Sequence, residues 1–277
     1  MKEEGTKEYD ALFVKPIADG LMGMETLLKS LDKRFHANNS ATWTTLYFIG
    51  DSLSSDHAMA AVCKLYSLGY EIEACNSNAI GGDQYGEHDK NVCAEISQQQ
   101  QEETPVVYFN MVSSSNPKRI RIKYLNLLQY SGNETNIFLH DESGVIVYNW
   151  GVWANSRDEM REHLSSHFAN FYTRTDPNQF IFTWREHEPQ HFDTAGGVYK
   201  DGVGGQCKDL DCYDNFRNVE VGEYFERTGL LEKIPIVRIF DALIPLHEFH
   251  YAGDCTHYCY SPWRFDVTWH GIAYSLS

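Results

Sequence analysis

The stretch Thr44–Leu68, TTLYFIGDSLSSDHAMAAVCKLYSL, constrains this chain more than any other. An apolar run, Leu46-Tyr47-Phe48-Ile49, reads as a buried strand. Gly50 permits a sharp turn, and Met59, Val62, Cys63 and Tyr66 then recur at helical spacing. A strand passing through a tight turn into a helix is the unit from which open α/β sheets are built. It would leave Ser52 at a helix N-terminus, where main-chain N–H groups and the helix dipole favour a developing negative charge. Ser52 is therefore a candidate nucleophile. The plainer reading is that Ser52 or Ser54 only caps the helix.

A second motif lies near the other end of the chain, in Asp254-Cys255-Thr256-His257-Tyr258-Cys259. A serine nucleophile needs a base to take its proton, and the base needs a carboxylate on its second nitrogen to fix tautomer and orientation. The Asp-x-x-His spacing sets both side chains on one side of a turn. The chain order is Ser52, then Asp254, then His257, and the three are the expected nucleophile, orienting acid and base. His247 and His250 are alternative bases without a carboxylate at matching spacing.

These residues resemble the SGNH/GDSL hydrolases. The wording Asp-Cys-Thr-His-Tyr-Cys is similar to the Asp-Cys-Ser-His-Trp-Cys of the trichome-birefringence-like branch and its PC-esterase relatives. Arg185-Glu186-His187-Glu188-Pro189-Gln190-His191-Phe192, with Gly196-Gly197 and Gly204-Gly205-Gln206-Cys207, resembles that branch's Arg-Thr-x-Ser-Pro-Arg-His-Phe and Gly-Gly-Ser-Cys. Tyr148-Asn149-Trp150-Gly151-Val152-Trp153 is similar to its Asn-x-Gly-His-Trp-Trp, although Val152 stands where the branch has histidine. Cys63 also falls where the branch has a cysteine. The likeness runs from about Thr45 to Trp269 in matching order.

The resemblance implies a three-layer α/β/α sandwich with a mostly parallel sheet, and serine-dependent acyl transfer on O-acetyl groups of glycans, by a transferase or an esterase. It implies an oxyanion hole from the N–H of Ser52 with Asn149 or Gly151. Substrate contacts are expected from Asp51, Trp153, Arg185 and His191, the last two alternatively bracing Asp254. It also implies a Cys207–Cys255 disulfide tying the glycine-rich loop to the Asp-x-x-His turn. The branch's upstream cysteine-bearing region has no counterpart here. The chemistry needs no cofactor or metal.

Composition sets the outer limits. A length of 277 residues, 42% hydrophobic, suits one sizeable α/β domain over 41–277, preceded by a polar arm with a short helix over 1–40. A net charge of −16 offers no basic stripe for a nucleic acid. The one locally basic stretch, Pro117–Lys123, reads as a solvated helix start. Six tryptophans suit stacking on sugar faces as well as core packing. No apolar run is long enough to cross a membrane, and MKEEGTKEYD lacks the character of a signal peptide. The chain is thus expected in the cytoplasm, or in the Golgi lumen or outside the cell if it is a piece of a longer protein. Seven cysteines and the sequons at Asn38 and Asn133 favour the second.

The remaining segments place further elements. Strands are expected at Tyr70–Cys75, Val106–Met111, Asn136–His140, Val145–Tyr148, Phe180–Trp184 and Ile234–Asp241. Helices are expected at Leu21–Phe35, at Ser156–Tyr172 with Ser156 as cap and Met160, Leu164, His167, Phe168 and Phe171 along one face, and at Val219–Leu230, with a last one in Trp263–Tyr274, and a glycine-rich loop at Asn76–Asp89. His187-Glu188-Pro189-Gln190-His191 matches H-E-x-x-H in letter, but that zinc motif works only on a helix, which Pro189 opposes. Cys207, Cys212, Cys255, His257 and Cys259 form a second zinc option, one that would consume the base. A zinc hydrolase and a catalytically inactive glycan-binding module are therefore the rival readings.

Overall fold

A computed structural model describes residues 23–35, 42–76, 106–115, 118–128, 141–200, 206–251, 253–259 and 262–276, with 138 and 203. The chain is α/β, with seven strands among the described residues in one mostly parallel sheet flanked by helices as a three-layer sandwich. The strands are β1 Trp43–Gly50, β2 Glu71–Asn76, β3 Val106–Val112, β4 Ile120–Asn126, β5 Glu142–Tyr148, β6 Phe180–Arg185 and β7 Ile236–Val237. Their order is β2-β3-β4-β1-β5-β6-β7. β1 runs parallel to both β4 and β5, β6 is parallel to β7, and β3 is antiparallel to β2 and β4.

The chain divides into two compact units. One holds Leu31–Tyr148 and Thr175–Phe182, the other the residues up to Ser30 with Asn149–Arg174 and Thr183–Ser277.

In the first unit β1 is buried at every position, as expected of a strand with parallel neighbours on both sides. Helix α2, Ser52–Ser67, follows at once and packs on β1 and β4. Its buried residues include Leu53, His57, Ala58, Ala61 and Leu65, whose small alanines let the helix approach the sheet. Cys63 and Tyr66, expected on the inward face, are exposed. Between Met59 and Tyr66 the packed side is made by Ala60, Ala61, Val62, Lys64 and Leu65, so of the spaced apolar residues Val62 alone is buried. The N-cap is Asp51, one residue before either candidate serine, and its Oδ1 accepts from the N–H of Leu53 at 3.1 Å.

From Ile120 the basic stretch expected to open a solvated helix is instead the interior strand β4, between β3 and β1. Arg121 and Lys123 are buried, and both donate to Glu142 of β5, Lys123 Nζ at 3.1 Å from each carboxylate oxygen. Trp43 lies under the guanidinium groups of Arg119 and Arg121, and Tyr47 under Lys123. Burial lowers the Lys123 pKa, and Glu142 opposes that shift.

Helix α1, Gly23–Phe35, buries Met24, Leu27, Leu31 and Phe35, an apolar stripe at helical spacing within the stretch read as a polar arm. It belongs in part to each unit, since the boundary falls at Ser30.

In the second unit, α3 (Arg157–His163) passes through a π-turn, Leu164–Phe168, into α4 (Ala169–Arg174). Ser156 caps it, accepting from the Glu159 N–H at 3.2 Å, as the sequence suggested. The wider turn puts an extra residue into the ladder. Met160, Leu164, Phe168 and Phe171 are buried as the expected face requires, but His167 is exposed and His163 is buried. Helix α5, Phe216–Thr228, is tied to α3 by Glu220, which accepts from Arg157 and Arg161 at 2.6 Å each.

The expected strand Ile234–Asp241 shrinks to β7. Helix α6, Phe240–Leu243, takes over, its first N–H groups at Ile239 and Phe240 donating to the Glu186 carboxylate. The last helix, α7 Pro262–Ser275, packs on β7. The expected strand at Asn136–His140, apart from residue 138, and the loop beyond Asn76 lie outside the described residues. So do both sequons. No helix among the described residues is long and apolar enough to cross a membrane.

Candidate functional site

Ser52 is the first residue of α2, half-buried at the turn where β1 ends. The turn is fixed from two directions: Asp51 caps the helix, and the Tyr124 hydroxyl on β4 donates to the Asp51 carbonyl at 3.2 Å. Asp51, expected to meet substrate, is fully buried and engaged in capping.

Asp254 and His257 occupy a tight turn in the other unit. Asp254 Oδ1 accepts from the N–H groups of Thr256 at 2.8 Å and His257 at 3.1 Å. Its Oδ2 stands 2.6 Å from His257 Nδ1. Burial alone would raise the Asp254 pKa. The His257 ring and the two main-chain donors outweigh it and bring the carboxyl down to about 2. The carboxylate fixes the proton of neutral His257 on Nδ1 and leaves Nε2 to accept one. Both side chains keep some exposure, 31% for Asp254 and 17% for His257.

The segment after β6 braces this turn through three hydrogen bonds, and a disulfide from Cys207 adds a fourth link. The Tyr258 hydroxyl donates to the Pro189 carbonyl at 2.8 Å, and Gln190 Nε2 to Thr256 Oγ1 at 2.9 Å. The His191 N–H donates to the Cys255 carbonyl at 2.9 Å. Cys255 is bonded to Cys207, with Cα atoms 5.3 Å apart. Next to it, Lys208 N–H donates to the His191 carbonyl at 2.9 Å. The expected Cys207–Cys255 disulfide is thus present, and Cys75 is also disulfide-bonded. Cys212 and Cys259 are free thiols. Gly196 and Gly197 sit nearby at φ +78° and +76°. A Cβ on Gly197 would stand 2.3 Å from the Gln190 carbonyl oxygen, so glycine is required there.

Residues 186–192 are not helical. Glu188 is fully buried between two arginines, Arg185 Nη1 donating to one oxygen at 2.8 Å and Arg264 Nη2 to the other. Arg185 is itself completely buried, and its guanidinium meets Glu188 rather than solvent. His187 is held through its main chain by Asn218, and burial pushes its pKa well down. The H-E-x-x-H letters therefore hold a buried ion network. Two of the candidate zinc cysteines are spent in the disulfide.

Asn149 is buried, with Nδ2 donating to the Arg185 carbonyl at 3.0 Å. Gly151 is closely packed, since a Cβ there would meet His187 and Arg217 at 3.2 and 3.3 Å. Arg217 donates to the Ala154 carbonyl and shapes the turn that leaves Trp153 56% exposed.

The Asp254–His257 pair, the disulfide and His191 thus come together at one turn, and Asn149 meets Arg185. Ser52 and Asp51 belong to the other unit. Three contributors were not legible in the sequence: Tyr258, Gln190 and Arg264. Each reaches its partner across 66 to 76 positions, so no local spacing marks them. Comparison with protein-family models and with curated proteins finds no match.

Proposed function

We propose that the protein is a serine acyltransferase of the SGNH type, acting on O-acyl, most simply O-acetyl, groups of carbohydrate. The observation that carries this reading is the Asp254–His257 pair: a carboxylate held by two main-chain N–H groups, bonded to Nδ1, leaves His257 Nε2 as a base. Ser52 on the β1–α2 turn is the nucleophile, and the reading requires His257 to take its proton.

The Ser52 oxygen then attacks the acyl carbonyl, forming a tetrahedral oxyanion. The Ser52 N–H, with Asn149 or Gly151, serves as its donor set. Collapse expels the donor's alkoxide, which takes the proton from His257, and leaves acyl-Ser52. A sugar hydroxyl, deprotonated by His257, takes the acyl group and frees the serine. Water in place of the sugar makes the same site an esterase. Exposed Trp153 supports a carbohydrate ligand, since an indole face stacks on a sugar ring. The Cys207–Cys255 bond supports an oxidising compartment such as the Golgi lumen or the cell exterior.

The test uses an activated acetyl ester and intact-mass detection. A transferase forms an acetyl adduct on Ser52 that discharges faster with oligosaccharide, and the sugar gains the acetyl mass. Discharge at one rate with no acetylated sugar would favour the esterase. No adduct at Ser52 would remove both.

A further inference from the structure

His191 and His250 lie 59 positions apart in sequence, yet His191 Nδ1 and His250 Nε2 stand 2.6 Å apart inside the second unit. The outer nitrogen of each ring faces a main-chain carbonyl. His191 Nε2 is 2.9 Å from the Ile244 oxygen, and His250 Nδ1 is 3.0 Å from the His257 oxygen. A carbonyl oxygen only accepts, so both outer nitrogens must carry hydrogen. Two neutral imidazoles hold one N–H each, and both are then used. The inner nitrogens would face each other lone pair to lone pair, which a 2.6 Å separation does not allow. The arrangement needs a third proton on two rings.

We propose that His191 and His250 together bind one extra proton, and that this proton completes a chain of hydrogen bonds from Ile244 to the carbonyl of His257. The pair is thereby a proton-dependent positioning device for the turn that carries Asp254 and His257. Its bearing on catalysis rests on the function proposed above; the proton count does not.

The surroundings set the pH at which the chain closes. Burial opposes the charge most: it lowers the pKa of His191 and brings that of His250 to about 4. His247, its ring 6.3 Å from that of His191, adds to the opposition, as does Arg264 near His250. Asp209 on the His191 side and Asp254 on the His250 side favour the proton. Tyr213 meets His191 edge-on at 5.1 Å, and burial raises its own pKa, so it stays neutral. The Tyr258 ring lies 3.9 Å from that of His250, and its hydroxyl is 3.4 Å from His191 Nδ1. Burial keeps that hydroxyl protonated. The one hydrogen of that hydroxyl is held by the Pro189 carbonyl, so when the third proton leaves, the bond between the rings is lost with no donor in its place unless Tyr258 gives up Pro189. The pair thus closes on acidification, below the ordinary imidazole range.

The test is a titration of the full chain labelled with ¹⁵N at histidine, from about pH 8, above the ordinary imidazole value, down to about pH 3, below the lowered value of His250. Through-bond correlation to the backbone assigns the rings without requiring any variant to fold. The four ring nitrogens of His191 and His250 should move together with one midpoint, taking up one proton in all. Below that midpoint the Tyr251 N–H, which also donates to the His257 carbonyl, should exchange with deuterium about fivefold more slowly after correction for intrinsic rate, the worth of one ordinary hydrogen bond. His250→Asn keeps a donor near the position of Nδ1 but removes the inner nitrogen, and should abolish the protection step. Two rings titrating independently, or a pair still neutral at the acid end, would overturn the shared proton. A coupled titration without the protection step would overturn the positioning role. Labelling of Ser52 by an acylating probe tests the enzyme reading separately, and its failure leaves the proton count standing.

Discussion

Asp254 Oδ2 stands 2.6 Å from His257 Nδ1 while Asp254 Oδ1 is bound by the N–H groups of Thr256 and His257. One carboxylate therefore both shapes the turn and sets the imidazole tautomer. Asp254→Asn separates the two tasks, because the amide oxygen still accepts from the main chain but the amide nitrogen opposes an Nδ1–H. Modification of Ser52 by an acylating probe should slow by about 10³–10⁴-fold. Urea unfolding should shift by only about 1 kcal/mol. The wild-type carboxyl, held at about 2, stabilises the fold fully above its unfolded value. That contribution is lost as pH falls from 3.8 to about 2.

The Cys207–Cys255 bond closes a loop across 48 positions. Cys207→Ser should lower stability by about 4 kcal/mol on the chain-entropy model. The same loss should follow selective reduction of the wild-type bond, and chemical denaturation checks both.

Glu188 sits fully buried between Arg185 and Arg264. Glu188→Gln leaves two buried guanidinium groups without their counter-charge and should cost about 3–5 kcal/mol. A change within about 0.5 kcal/mol in urea unfolding would show that the network contributes little.

His163 stacks on Trp150 at 3.9 Å, and burial, followed by the neighbouring His167, holds its pKa at about 3. The folded state keeps this ring neutral, while the unfolded chain protonates near 6.5. Its stabilisation is full above 6.5 and lost as pH falls toward about 3. The slope is at most about 1.4 kcal/mol per pH unit. His163→Phe keeps the stacking surface and should flatten the fall in urea midpoint between about pH 6 and pH 4 by about that slope.

The parts of the fold visible in sequence were those whose pattern is local. β1 and α2 announce themselves because an apolar run meets a turn and a helical period within 25 residues, and Ser156 because its cap lies three positions from its donor. β4 was hidden because Arg121 and Lys123 are buried against Glu142, a partner some 20 positions away. The inward face after Ser156 was legible in Met160, Leu164, Phe168 and Phe171, all buried, while the π-turn beside exposed His167 has no signature in the periodicity. At the site, Asp254 and His257 were legible from their spacing, and the disulfide only through a resemblance. The His191–His250 contact was not legible, since it depends on how Ile244 and His257 present their carbonyls.

The most direct measurement of the central claim is labelling of the full chain by a fluorophosphonate, with the modified residue located by peptide mass spectrometry. The account predicts one adduct, on Ser52, lost in Ser52→Ala and slowed by at least about 10³-fold in His257→Ala. Absence of label on the folded wild-type protein, or labelling of Ser52 at the same rate without His257, would contradict it.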